Sequence, residues 1–340
     1  MTRSRILPVL LVFLWGCTAQ PPEVEPTPSI PADPSPAASP PTVVEGFQEF
    51  PVPPGSRPHD VAPAADGGVW YTAQGSGELG YLDASSGQTR HIDLGRGAAP
   101  HGVIVGPDGT PWITDGGLNA IVKVDPNNDE VTAFPVPRHS ANLNTAAFSG
   151  DGMLWFTGQA GIYGVLNSTT GEIQVYDAPK GRGPYGISAT PSGEVWFSSL
   201  AGSYIARIGA GGQAEVLEPP TANAGARRVW SDSMGNLWVT QWFAGNLARF
   251  DPQTRQWEEF PMPGSEPQPY AVYVDENDTV WVSDFGSNSL ISFDPTTEQF
   301  QSNALPSPRA QVRQLLGRPT EVWGAESATD KLVVFRTSPR

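Results

Sequence analysis

Residues 100–115 read PHGVIVGPDGTPWITD. An apolar run over 101–105, a turn at Pro107-Asp108-Gly109 and a second short run carrying Trp112 have the pattern of two antiparallel strands. The chain continues as AIVKVD (120–125), a turn at Pro126-Asn127-Asn128, and EVTAFPVP (130–137). One unit is therefore a four-stranded meander. The same phrase returns around Trp70, Trp155, Trp196, Trp238, Trp281 and Trp323, with intervals of 41 to 43 residues throughout. A period near 42 made of short strands and turns is one propeller blade. Seven copies predict an all-β, seven-bladed β-propeller with four-stranded antiparallel blades.

The two ends of the repeat depart from this order. The last unit supplies strands near Val312–Leu316, around Trp323 and at KLVVFR (331–336), and then has no fourth strand. The missing piece is expected at the other end, where GFQEFPVP (46–53) matches TAFPVP (132–137) and EEFPMP (258–263). An N-terminal strand completing the last blade would close the ring and remove a gap.

Ahead of the ring lie two segments of other character. Residues 1–17 combine Arg3 and Arg5 with an apolar run from Ile6 to Trp15, too short to span a bilayer, and read as an export signal. The ending Leu14-Trp15-Gly16-Cys17 resembles a bacterial lipobox, so Cys17, the sole cysteine, is expected to be lipidated and no disulfide forms. Thr18 stands where Asp would mark inner-membrane retention, which favours the outer membrane or outer cell surface. Residues 18–43 are rich in Pro, Ser and Ala and cannot bury enough surface to fold, as expected of a tether. The propeller is placed at 44–337. A net charge of −15 argues against nucleic acid or acidic lipid as a partner, which leaves Cys17 as the only membrane contact of a monomer.

Repeat phase also selects candidate functional residues. Eleven positions before each Trp, at the entry to the inner strand, stand His59, His101, Asn144, Tyr185, Arg227, Tyr270 and Val312. Three positions after each Trp stand Ala73, Asp115, Gly158, Ser199, Gln241, Asp284 and Glu326. The Trp scarcely varies while these positions differ from blade to blade and are largely polar, as a binding surface at one end of the channel would be. Asn144, Tyr185, Arg227, Gln241, Gln268, Tyr270 and Asp284 are the expected ligand rim. The seven indoles are read as packing, because each buries about 150–250 Å². His59, His101, Asp115 and Glu326 fall on the adjoining blades 7, 1 and 2. Two imidazoles and two carboxylates there could bind a divalent metal or supply an acid–base pair, with His59 and His101 as the catalytic candidates and Asp115, Glu326 and, from blade 6, Asp284 as the metal candidates. They could equally hydrogen-bond neighbouring backbone and solvent. Arg227, Arg228 and Arg313 stand out in so acidic a chain. Arg227, if it points inward, is expected to pair with Asp284, as a local clamp or as a grip for an anionic ligand. His91 and His139 fall at outer-strand and loop phases and are expected at the surface.

The phrases PHGVIVGPDGTPWITD, PYGISATPSGEVWFSS and GNLWVTQWFAGNLARF, with the period and the count, resemble the virginiamycin B lyase (streptogramin lyase) propellers over residues 44–337. The resemblance implies an enzyme that opens a cyclic depsipeptide antibiotic by elimination across its ester linkage. It also implies Mg²⁺, acidic ligands and histidines on blades five and six. Residue by residue, the blade-five His falls on Arg227 and the blade-six Glu-x-His on Gln268-Pro269-Tyr270. Only the later acidic position is kept in kind, by Asp284. The reading this favours is an exported, lipid-anchored propeller that binds a small molecule, a peptide or a cell-surface protein at its channel rim. The alternative is a metal-dependent lyase acting on an ester-linked cyclic substrate such as a streptogramin B antibiotic, or a lactonase-like hydrolase.

Overall fold

A computed structural model describes residues 42–44 and 46–337. The export segment, Cys17 and the tract at 18–41 lie outside the described residues. Seven antiparallel sheets follow one another around the ring. The second blade is typical, with strands Pro100–Val105, Pro111–Asp115, Ala120–Val124 and Val131–Pro135 in consecutive order. The inner strands of the blades are mostly buried, whereas the outer one, at 131–135, is half-buried to exposed. The ring thus buries its axis and solvates its perimeter.

The seventh blade closes as expected. Val312–Arg318, Glu321–Glu326 and Lys331–Arg336 come from the C-terminal end, and Phe47–Pro51 pairs antiparallel with Lys331–Arg336. Phe50 is fully buried and stacks on Trp323 at 5.5 Å between ring centroids. Glu49 is 2% exposed and accepts a bond from Lys331 Nζ at 2.5 Å. Both oxygens of Asp330 accept backbone N–H groups, from Gly55 and Arg57, of the chain leading into blade 1. One feature differs from expectation: Thr42–Val44 forms a short further strand on Phe47–Pro51, so this sheet has five strands and begins inside the stretch read as tether. Gly46, at φ +80, makes the reversal that returns Thr42–Val44 onto an edge left open by the other six blades' pattern.

Apolar clusters sit between adjacent blades rather than within them. Trp70, Leu79 and Ile92 of blade 1, for example, pack with Val103, Ile113 and Val122 of blade 2. Six of the seven repeat tryptophans are at most 4% exposed, and Trp155 is half-buried. Burying one indole is worth on the order of 4–6 kcal/mol before ordering costs. The fixed phase is a packing signal, as the sequence suggested.

Two further periodic devices organise the axis. In every blade the pairing of the two inner strands slips at the strand entry, between Pro58 and Val61 in blade 1 and between Ala226 and Val229 in blade 5. Such a bulge breaks the period-2 alternation, so neighbouring residues both reach the channel. The second device is a Ser or Thr two positions after each Trp in blades 1–6. The Thr72 hydroxyl accepts the Asp60 N–H at 2.9 Å and donates to the carbonyl of His101 in the next blade at 2.9 Å. Ser198 and Thr240 repeat this toward the carbonyls of Arg227 and Tyr270. Blade 7 has Ala325 at that phase; there Gln314 Oε1 accepts the N–H of Val61 instead, at 3.0 Å.

Candidate functional site at the channel rim

The residues eleven before each Trp do converge on the axis. His59, His101, Asn144, Tyr185, Arg227 and Tyr270 are all at most 9% exposed. The imidazoles of His59 and His101 lie 3.8 Å apart between centroids, and Asn144 Nδ2 is 3.4 Å from His101 Nε2. Tyr185 and Tyr270 share a hydroxyl–hydroxyl bond of 2.7 Å across blade 5. Arg227 fills the space between them. Its Nη2 donates to Tyr185 Oη at 2.8 Å, and its Cζ lies 3.6, 4.5 and 4.6 Å from the ring centroids of Tyr270, Tyr185 and Trp242.

The bulge adds a second layer that the phase count had not selected. Asp60, Arg228 and Arg313 are the next residues after the −11 positions on blades 1, 5 and 7. Asp60 Oδ1 meets His59 Nδ1 at 2.8 Å and Arg228 Nη2 at 3.3 Å, so a buried ion pair joins blades 1 and 5. Arg228 also donates to the carbonyl of Arg313 at 3.4 Å. Arg313 in turn donates from Nε to Ser327 Oγ at 2.7 Å and reaches Tyr270 Oη at 3.5 Å. Below this layer a cavity of about 30 Å³ is lined by Asp60 and Arg228 above apolar side chains such as Val103, Ile187 and Trp230. It has room for one or two waters.

Burial and charge set the protonation states here. Burial, reinforced by Arg228, Arg313 and Arg227, holds His59 well below its ordinary value. Burial, with His59 alongside, does the same to His101, so both imidazoles are neutral. Burial raises Asp60 against the pull of Arg228. Burial also raises Tyr185, with Tyr270 adding to the effect. Burial alone would raise Tyr270 as well, but Arg227, Arg228 and Arg313 together bring it below its usual value.

The polar residues three after each Trp find hydrogen-bond partners within their own blade. Asp115 Oδ1 accepts the N–H groups of Ala99, Gly117 and Leu118 at 2.8–2.9 Å and so caps the turn in its own blade. Asp284 repeats this, with Oδ1 toward the N–H of Gln268 and Oδ2 toward the N–H and hydroxyl of Ser287. Gln241 bridges Glu259 and Asn246. Glu326 accepts from Thr329 Oγ1 and sits with Glu49 and Lys331 at the closing strand, where burial pushes its carboxyl up to about 7. Asp115, Glu326 and Asp284 therefore do not join the imidazoles. Among the described residues, the potential ligand atoms that gather within 4.8 Å of one another are those of His59, Asp60 and His101. Arg227 does not pair with Asp284 either; its guanidinium turns to Tyr185, Tyr270 and Trp242, while that carboxylate accepts from Gln268 and Ser287 of its own turn. His139 is exposed as expected, whereas His91 is half-buried between Tyr71 Oη (2.7 Å) and Glu78 (2.9 Å).

The Mg²⁺ implied by the resemblance does not fit the residues of blades five and six. A hard cation needs several oxygen ligands. Here the place is held by a guanidinium, a buried phenol and an Asp whose two oxygens already accept three hydrogen bonds. The His59–Asp60–His101 group is a nitrogen-rich set of the kind zinc favours, but Arg228 already holds its carboxylate and two more guanidiniums stand nearby.

Comparisons with known proteins agree with the architecture. The sequence model of the Virginiamycin B lyase family matches residues 41–291. A virginiamycin B lyase from Nocardia farcinica is 28% identical over 217 residues, covering 64% of this chain and 74% of that protein. The crystal structure of virginiamycin B lyase from Staphylococcus aureus superposes with a TM-score of 0.80 at 18% identity, over 86% of this chain and 99% of the other. A streptogramin B lyase structure gives 0.78 at 24% identity, over 85% and 96%.

Proposed function

Because the chain belongs to the virginiamycin B lyase family, we propose that it keeps the family's ring and uses the rim of the channel to bind a ligand rather than to eliminate across an ester. One observation carries this reading. Where the lyase resemblance calls for a base and metal ligands, Arg227 lies 3.6 Å over the Tyr270 ring, and Gln268 takes the place of a carboxylate. Proton abstraction needs a group whose pKa is near the working pH and that can reach the substrate. A guanidinium supplies neither function, and Tyr270 is bonded to Tyr185 and covered by Arg227. The ligand is a small molecule, a peptide or a segment of a cell-surface protein, and the propeller is exported and held at the outer membrane or outer surface through a lipid on Cys17.

The test is turnover of a streptogramin B antibiotic with and without Mg²⁺, followed by chromatography, since elimination opens the ring without changing its mass. No opened product above the uncatalysed background is expected. Turnover abolished by a chelator would overturn the proposal in favour of the lyase reading. Turnover that needs no metal and is lost in His101→Ala would favour a hydrolase built on the His59–His101 pair.

A further inference from the structure

Three guanidiniums reach the axis and one carboxylate answers them. Arg228 has Asp60 at 3.3 Å. Arg227 and Arg313 have hydroxyls, an amide and aromatic rings as partners, and among the described residues neither forms an ion pair. Arg227 is 9% exposed and its Nε has no hydrogen-bond partner. With both imidazoles neutral, the layer carries two positive charges more than it balances, that of Arg227 buried and that of Arg313 partly so. Uncompensated charge in such a place is costly, and an arriving anion relieves it. The chain as a whole is strongly acidic, so a positive axis enclosed by low-dielectric blades is a local feature, which focuses the field at that rim.

An apolar surface adjoins these charges on the same side of the ring. The residue four after the Trp is Leu200, Trp242 and Phe285 in blades 4, 5 and 6, and all three are half-buried. Phe285 stacks on Tyr270 at 4.6 Å and meets Trp242 edge-on at 5.7 Å. Phe243 follows at 64% exposure. Between blades 6 and 7 lies a hollow of about 350 Å³, bounded by Phe285, Leu305, Val312, Gln268 and Gln311, with the cation of Arg309 at its edge and the carboxylate of Asp284, engaged by its own turn, on its wall. Gln311 Oε1 accepts from Arg313 Nη2 at 3.4 Å, so the hollow adjoins the charged layer. That volume suits a small molecule.

We propose that this rim binds a small organic acid, its carboxylate held by Arg227 and Arg313 and its apolar body lying against Trp242 and Phe285. The proposal rests on the binding role put forward above and adds the charge and polarity of the ligand to it. Arginine suits the task because its donors sit in a planar fork that matches a carboxylate.

The experiment is isothermal titration of the full chain with benzoate and with benzamide, which share a body and differ in charge. Inorganic phosphate is the third probe. Benzoate should bind at least tenfold more tightly than benzamide. Arg313→Gln should remove most of that preference while changing benzamide affinity less than twofold. Arg313 is only partly buried, so this variant should fold, with melting as the check; Arg227→Gln is the second variant and should act in the same direction. Phosphate should compete poorly, having no body to place on the aromatic rings. Equal binding of acid and amide, binding of neither, a preference unchanged in both variants, or phosphate binding as tightly as benzoate would each overturn the proposal. These outcomes are separate from failure of the binding role itself, which turnover of the antibiotic would reveal.

Discussion

Glu326→Gln provides a quantitative test of what the carboxylates near the axis do. Glu326 is fully buried, accepts one bond from Thr329 Oγ1, and has no partner for its other oxygen. Burial, with the charge of Glu49 adding to it and Thr329 and Lys331 opposing, moves its carboxyl from about 4.5 in the unfolded chain to about 7 in the fold. The folded state thus holds the proton more tightly, and ionisation works against folding. The cost is absent below pH 4.5, grows as pH rises toward 7 and is complete above that, reaching roughly 3 kcal/mol. Glutamine has the shape of the protonated acid and can still accept from Thr329. The variant should therefore be more stable than the parent by roughly 2–3 kcal/mol at pH 8 and indistinguishable from it near pH 4.5. Urea unfolding followed by tryptophan fluorescence at the two pH values measures the difference. A gap that does not change with pH would refute the reasoning. So would stabilisation of the parent by a divalent metal at pH 8 that the variant loses, since Glu326 would then be a ligand.

Three other outcomes follow from the same geometry. His59 and His101 are held neutral below their ordinary value of 6.5, so the stability they contribute is present above pH 6.5 and is lost as pH falls below it. Each can add up to about 1.4 kcal/mol per pH unit to the slope, and His101→Gln should flatten the unfolding profile between pH 5 and 6.5. Asp60→Ala strands the Arg228 charge and should lower stability by about 3–5 kcal/mol, with Asp60→Asn milder, as read by chemical denaturation. Phe50→Ala empties the contact of the closing strand with Trp323 and should cost about 3–5 kcal/mol of unfolding free energy, more than any exposed outer-strand change.

The ring was legible because its cause is periodic. Trp112 and its counterparts pack at one phase, and the match between 46–53 and 132–137 marks the closing strand. The first layer of the axis was legible for the same reason, since His59, His101, Tyr185, Arg227 and Tyr270 share a phase. The second layer is legible only in part: Arg228 and Arg313 stand out by charge, but counting one inward residue per strand entry passes over Asp60. The bulge presents two, and the residue after each −11 position would have yielded Asp60, Arg228 and Arg313. Asp115 and Asp284 accept the N–H groups of their own turns, a role that phase alone does not reveal. A carboxylate collecting the N–H groups of a turn has the same composition as one waiting for a metal, and only the hydrogen bonds separate the two. Thr42–Val44 escaped notice because a three-residue edge strand beside a Pro-rich tract leaves no pattern to count.

The inter-blade ties explain how a family scaffold can carry unrelated axial chemistry. Ser198 donates to the carbonyl of Arg227, and Thr240 donates to that of Tyr270. Neither hydroxyl touches the side chain it anchors. The ring is thus held through main-chain atoms that every residue type possesses, while the side chains at those positions pack against one another across the channel. An imidazole and a guanidinium at position 227 would leave the tie equally intact, and the guanidinium gives the rim a permanent positive charge. Asp284 behaves differently, because its oxygens cap a turn, which makes an acid useful there whether or not a metal is bound.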